Sequence, residues 1–330
     1  MPTPPPPIPT GDPAPNRAVT DELASPPRVA QRRALRLLRV AAAVALLAYL
    51  YSIVDVGQVA GVLRGVHGGW LAAAAALSLL MQWTITLRLK QLTDAQGAVL
   101  PMAAMLEINF TTLFYGLFLP GGNVGSWAVR FYKLSRQGGT MAGAAVALVL
   151  DRLLATMSLC AVGVAFWFLA DPPEATRARA MLALLLVVWA LLVLLCVALS
   201  RRWNVPKMAK LAAAVARWKN MSPAQHAAVS AVSVLSHLLG IGVFVALALA
   251  ASLQLPLADL GYIRAIVILA TMVPLSVAGL GLREGAMMFL LSGYGVAHEQ
   301  ALAMALLVFL VVNVLPGAIG GAMELWRWVR

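Results

Sequence analysis

Apolar residues run along this chain in stretches too long and too uniform for the one-sided pattern of a soluble helix. Six such runs lie at about residues 36–54, 69–88, 140–170, 179–199, 226–252 and 299–322, and a stretch such as Met181 to Leu199 is apolar on every face. A helix needs about 20 residues of this kind to cross a hydrocarbon core of about 30 Å, so the runs predict six full transmembrane helices. A closed barrel would instead need strands of about 10 residues with alternating polarity, and that pattern is missing.

Two further stretches, 102–136 and 262–295, are as apolar but punctuated. The first holds Pro120, Gly121, Gly122 and Gly125, the second Pro274, Gly279, Gly281 and Gly285. Proline removes a helical N–H donor and glycine weakens a helix interior, so neither stretch predicts one unbroken helix. Each is expected to be a re-entrant hairpin of two short helices with these residues at its hinge or tip. The alternative is a kinked but complete span, which gives eight crossings.

Composition turns the membrane reading from an option into a requirement. The 330 residues are 61% hydrophobic and 12% charged, against about 45–50% and about 25% in a soluble chain. The formal charge of +12 arises from 25 Lys and Arg against 13 Asp and Glu. Its placement argues against nucleic acid. Five arginines lie between Arg28 and Arg39, and Arg201, Arg202, Lys207, Lys210, Arg217 and Lys219 share one loop. Both groups border apolar runs, where they act as positive-inside determinants.

The same rule gives a topology. With the N-terminus cytoplasmic, two spans return the chain to Arg88 and Lys90, the first hairpin re-emerges at Arg130, Lys133 and Arg136, and two more spans reach the basic loop. The next span leads out to a segment with Asp259 and no basic residue. A second hairpin dips from that side, and the last span ends inside at Arg327 and Arg330. Each half then has two spans, a broken hairpin and one span. Three crossings per half make the second half inverted, and paired Gly/Pro-broken segments are the pointer to a transporter's midplane site. The expected divisions are 1–30, a disordered Pro-rich cytoplasmic tail, 31–175, the first repeat, and 176–330, the inverted second. Ten of 19 prolines fall in the first 27 residues, with no signal-peptide core, so the first span is expected to be an uncleaved anchor.

Polar residues at membrane depth are few: Glu107, Asn109, Arg130, Asp151, Arg152, His237, Arg264, Arg283, Glu284 and Asn313. A central Arg or Asp costs about 2.5–3.5 kcal/mol to insert, so each needs a partner, water or a function. Arg264 and Glu107 are expected to snorkel towards an interface, and His237 to be a hydrogen-bonded packing residue. Pro120 precedes Arg130 by ten residues and Pro274 precedes Arg283 by nine. Two such tips meeting near the midplane, each with unwound glycine backbone and an arginine, would form an anion site suited to phosphate. Close packing of helices through small residues explains Gly121 and Gly125 equally well. Asp151 and Arg152, being adjacent, point about 100° apart. One arrangement sends Asp151 to a hairpin arginine and leaves Arg152 for ligand or Glu107; a purely structural clamp is the other.

No GxxxxGK[ST], HExxH, GxSxG or Cys/His cluster is present, so no cofactor and no metal are expected. Cys160 and Cys196 sit within apolar runs as small hydrophobes.

Asn109-Phe110, the run from Phe118 through Pro120 to Gly125 followed by Arg130, and Asp151-Arg152 form the first part of a resemblance. The run from Gly279 through Arg283-Glu284 to Gly285, and Asn313 with Pro316, Gly320 and Gly321, complete it. Over about residues 35–325 the chain resembles the lysylphosphatidylglycerol synthase transmembrane, flippase-like family, which includes the flippase portion of the multiple peptide resistance factor. It departs at Trp127, where an acidic residue is common, and at Phe309, where a basic one is expected. The resemblance implies movement of a phospholipid or polyprenyl-linked lipid between leaflets, without a soluble aminoacyl-transfer domain.

The expected protein is therefore an all-α polytopic membrane protein of two inverted-topology repeats in the inner (plasma) membrane, with both termini cytoplasmic. Its expected function is to move a phosphate-bearing lipid (an anionic or aminoacylated phospholipid, or a polyprenyl-linked lipid) without ATP hydrolysis and without catalysis of its own. The expected substrate-binding residues are Arg130, Arg283, Arg152, Asp151, Glu284, Asn109 and Asn313. Expected partners are membrane lipid and a separate lipid-modifying enzyme, not nucleic acid. The alternatives are a membrane enzyme or accessory subunit acting on lipid-linked glycosyl or aminoacyl substrates, a small-solute secondary transporter, and a DedA-type lipid transporter.

Overall fold

The computed structural model describes residues 56–118, 123–137, 140–170, 209–272 and 281–329. The proline-rich tail, the runs 36–54 and 179–199, and Pro120, Gly121, Gly122, Pro274 and Gly279 lie outside the described residues. Regular structure among the described residues is helical: α1 Val56–Arg64, α2 Gly68–Ala95, α3 Met102–Phe118, α4 Asn123–Arg136, α5 Met141–Leu169, α6 Ala209–Lys219, α7 Pro223–Ala250, α8 Leu257–Met272, α9 Leu282–Ser292 and α10 His298–Phe309. A π-helical segment, Leu310–Val314, joins α10 to α11, Leu315–Val329, without a break.

Among the described residues four helices are long and apolar enough to cross a membrane: Gly68–Ala95, Met141–Leu169, Pro223–Ala250 and His298–Arg327. They coincide with four of the six runs expected to span. α2 outlasts its apolar run by seven residues because its polar C-terminal part is satisfied locally. Lys90 pairs with Asp94 at 2.8 Å, and Arg88 turns inward to a buried partner. α7 begins on a capping box, in which Ser222 Oγ accepts from Gln225 N and Gln225 Oε1 accepts from Ser222 N, with Pro223 at the first helical position.

Each punctuated stretch holds two helices, and residues 119–122 and 273–280 between them lie outside the described residues. α3 and α4 pack on each other, as do α8 and α9. At 1.5 Å per residue α4 and α9 are roughly 21 and 17 Å long, too short to cross a hydrocarbon core. Gly125 and Gly285 are not unwound tip residues, because both lie inside helices, α4 and α9. Gly281 is a genuine break: it caps α9 with φ of 84°, a conformation a β-carbon would strain.

α2 and α7 form the centre. His67 N donates to Ala250 O at 3.0 Å, so the start of α2 lies beside the end of α7 and the pair is antiparallel. Around that pair the packing is reciprocal: α3 lies on α11, and α8 lies on α5. Glycines set both contacts. A β-carbon at Gly320 would overlap the Phe110 carbonyl of α3, and one at Gly261 would overlap the Phe166 ring of α5. Such close backbone approach is how helices associate where lipid and side chain are equally apolar.

The π segment has a local cause. In the π register, where Leu315 N donates to Leu310 O, the donor due to the Val311 carbonyl is Pro316, five residues on, which has no N–H. Ser78 of α2 donates to the freed Val311 carbonyl at 2.9 Å.

Candidate functional site

α2 carries a buried polar stripe at four-residue spacing, Ser78, Gln82 and Thr86, with Arg88 beyond it. Four residues are one helical turn plus a little, so these side chains leave one face together. In an otherwise apolar helix that face must meet polar partners.

Arg88 is 3% exposed and lies between two helices. Its Nε donates to Asp151 Oδ1 of α5 at 2.7 Å, and its Nη1 donates to Ser233 Oγ of α7 at 3.0 Å. Ser233 lies 2.6 Å from Ser158, and His237 one turn further along α7 donates Nε2–H to the Ala155 carbonyl at 2.8 Å. His237 is thus hydrogen-bonded in packing, in keeping with its expected role.

This corrects two expectations. Asp151 pairs with Arg88 of α2, not with a hairpin arginine. Arg88 does not stand in a loop after the span but within α2, as a buried ion-pair member. The physical reason is the length of α2, which carries Arg88 inward to the level of Asp151. Serines 158 and 233 and Gln82 also belong to the network and were not among the expected residues. Their signal was available in the spacing of polar positions within apolar helices.

The first hairpin closes on the same region. Arg130 of α4 donates from Nη2 to Asn109 Oδ1 of α3 at 2.5 Å, and Asn109 Nδ2 donates to Gln82 Oε1 of α2 at 3.2 Å. The buried Arg130 Nε has no hydrogen-bond partner among the described residues. Arg130 feels the charges of Asp151, Arg88 and Arg152. Arg152 is exposed on α5, turned away from the buried Asp151 as the 100° spacing requires, and feels Asp151 and Arg88. It has no hydrogen-bond or ion-pair partner among the described residues. Glu107 does not reach it, because Glu107 pairs with Arg327 at 2.7 Å. Three guanidiniums against one carboxylate leave this cluster with a net charge of +2.

The second hairpin differs. Arg283 and Glu284, 4% and 1% exposed, pair with each other. Glu284 Oε2 also accepts from Gly281 N at 2.6 Å, and the Arg283 guanidinium lies 4.6 Å from the centre of the Phe309 ring. The ring at Phe309 therefore supports Arg283 from a position where a basic residue would have repelled it. This pair is charge-neutral. Arg130 and Arg283 are not joined by any described contact. Asn313 lies in the π segment, remote in sequence from either pair.

Arg264 of α8 does not snorkel. It is 6% exposed, lies against Gly240 of α7, where any β-carbon would collide with its guanidinium, and approaches Met81 Sδ at 3.9 Å. At one end of the bundle Lys133 of α4 pairs with Glu324 of α11 at 3.0 Å and donates to Thr111 Oγ1 at 2.9 Å, while Tyr115 OH donates to Glu324 Oε1 at 3.0 Å. Glu107, Thr111 and Tyr115 recur at four-residue spacing along α3, so one face of that helix meets both α4 and α11. Among the described residues no group of three or more His, Cys, Asp or Glu is placed to hold a metal ion.

The profile of the family described as the lysylphosphatidylglycerol synthase TM region matches residues 36–320, most of the chain. No curated protein matches it significantly.

Proposed function

The chain belongs to the lysylphosphatidylglycerol synthase transmembrane family, and from that premise we propose that it moves a phosphate-bearing lipid between the leaflets of the inner membrane. The membrane setting and a link to lipid handling follow from the family and the apolar helices. Transport is the further step, and the arrangement around Arg130 carries it. Arg130 and Arg152 hold the phosphate, Arg88 and Asp151 fix the local field from behind, and Asn109 orients the Arg130 fork. Guanidinium is suited to this because it presents paired donors in a plane to phosphate oxygens. Arg283, Glu284 and Asn313 brace the second hairpin and the last span in this reading, rather than touching the phosphate.

The reciprocal packing of α3 on α11 and α8 on α5 about the antiparallel α2–α7 pair supports two inverted repeats. In such an architecture one half rocks against the other around a fixed site. Acyl chains remain in lipid while the headgroup passes. Both termini are cytoplasmic, the driving force is a lipid gradient, a proton gradient or the membrane potential, and the chain has no catalytic step of its own. A separate lipid-modifying enzyme supplies or consumes the cargo.

The test is leaflet exchange of a fluorescent anionic phospholipid in proteoliposomes, read by chemical quenching of the outer leaflet. Exchange above protein-free vesicles should fall at least about tenfold in Arg130→Gln/Arg152→Gln, equivalent to about 1.4 kcal/mol of lost interaction. Equal rates for the variant and the parent would overturn the assignment.

A further inference from the structure

We infer that the cluster of Arg130, Arg152, Arg88 and Asp151 selects a lipid phosphomonoester, a headgroup ending in a dianionic phosphate, over a phosphodiester or an amino-bearing lipid. The inference rests on the reading above that this cluster holds a lipid phosphate.

Charge is the first observation. Arg88 is bound to Asp151 and Ser233, leaving the charges of Arg130 and Arg152 uncompensated. A phosphodiester brings one negative charge and leaves one arginine unbalanced, whereas a terminal phosphate brings about −1.5 to −2 near neutral pH. Donor supply is the second. Among the described residues the Nε of Arg130 and the guanidinium of Arg152 have no partner and offer several N–H groups, and a terminal phosphate presents three oxygens to them where a diester presents two.

The third observation excludes the competing headgroups. An ammonium on the lipid needs a carboxylate, and among the described residues those on α2, α3, α4, α5 and α7, the helices that form this site, already face a cation. Asp151 is held by Arg88, Glu107 by Arg327, Asp94 by Lys90, and Glu324 by Lys133 and Tyr115. A zwitterionic or aminoacylated headgroup would therefore place its cation among arginines without compensation, which is unfavourable in a poorly solvated site.

A phosphomonoester loses its second negative charge near pH 6, while a phosphodiester keeps its single charge throughout. The groups that face the cluster are Gln82 and Arg88 from α2, Asn109 from α3, Asp151 and Arg152 from α5, and Ser233 and His237 from α7. Any titration among them acts on both lipid classes, so the ratio of the two affinities isolates the ligand's own proton.

The experiment is binding of the full chain in detergent to dioleoyl phosphatidic acid, a polyprenyl monophosphate, phosphatidylglycerol, phosphatidylcholine and inorganic phosphate, at pH 8 and pH 5. The monoesters should bind at least about tenfold more tightly than phosphatidylglycerol at pH 8, with the advantage shrinking to about threefold or less at pH 5. Both monoesters binding alike, or one alone, supports the inference and identifies the tail. Arg152→Gln removes an exposed, partnerless charge, so the thermal midpoint should stay put while the monoester preference collapses. Equal or tighter binding of phosphatidylglycerol or phosphatidylcholine, inorganic phosphate matching the lipids, or a preference that survives Arg152→Gln would each overturn it. A monoester preference without leaflet exchange would sink the transport reading and leave this one standing; exchange without the preference would do the reverse.

Discussion

At the scale of the residue, the most informative side chain is Arg88, because its meaning changed with its surroundings. Two residues from Lys90 at the edge of an apolar run, it read as a topology marker; carried inward by a helix seven residues longer, it is the partner of Asp151. Which carboxylate a buried arginine meets depends on helix length and rotation together, and neither is settled by position in the chain. The consequence is measurable. Arg88→Met or Asp151→Leu alone strands one buried charge and should cost about 3–5 kcal/mol, while the double variant should recover most of it. Denaturation of all three proteins in one lipid mixture checks this, and a double variant as unstable as the sum of the singles would refute the pairing. Gly240 offers a simpler case. Gly240→Ala places a methyl where the Arg264 guanidinium lies, so it should destabilise by about 1–3 kcal/mol, the range for overpacking, whereas Gly285→Ala, with nothing within 4 Å, should not.

At the scale of the element, the breaks in the chain were the most legible feature. The apolar run foretold the helix limits near Thr140 and Ala170, and proline and glycine marked the two stretches whose halves, α3 with α4 and α8 with α9, pack on each other. They did not tell which glycines were hinges. Gly281 breaks the chain, Gly125 and Gly285 sit within helices, and Gly320 is a packing surface for α3. Those roles depend on what lies opposite, a fact of the folded molecule. The π segment is the same lesson with a different residue. Pro316 was visible, but its effect needed Ser78 from α2 to accommodate the freed Val311 carbonyl. Ser78→Ala should cost about 0.6 kcal/mol, the average for such bonds between membrane helices, and Pro316→Ala should let the ladder close. Amide exchange at Val311 to Leu315 distinguishes the two. Slower exchange in Pro316→Ala is expected, and unchanged exchange would mean that something other than the proline holds the π segment open.

At the scale of the whole molecule, ion pairs at one end join the first hairpin to the last helix, across what the proposed function treats as two moving halves. Lys133 of α4 and Tyr115 of α3 converge on Glu324 of α11, and Glu107 of α3 reaches Arg327. The second pair is half-exposed at Arg327 and contributes little on its own, as exposed pairs do. The first is better shielded, and Glu324 accepts from two donors, so it is the stronger tie between α11 and the hairpin. If the halves rock, this contact must open and close once in each cycle, and its strength sets how long that end stays shut. Glu324→Gln weakens it without changing its shape. Leaflet exchange should then change by about threefold or more while binding of lipid at Arg130 stays the same, because Glu324 is not among the groups that act on Arg130. Exchanging the charges, Lys133→Glu with Glu324→Lys, should restore the parent rate in the same proteoliposome assay, since the attraction is rebuilt in the opposite sense. Failure of the exchange to rescue, with both proteins folded and binding lipid normally, would mean that Lys133 and Glu324 act on transport separately and that no closure between the hairpin and the last helix governs the cycle.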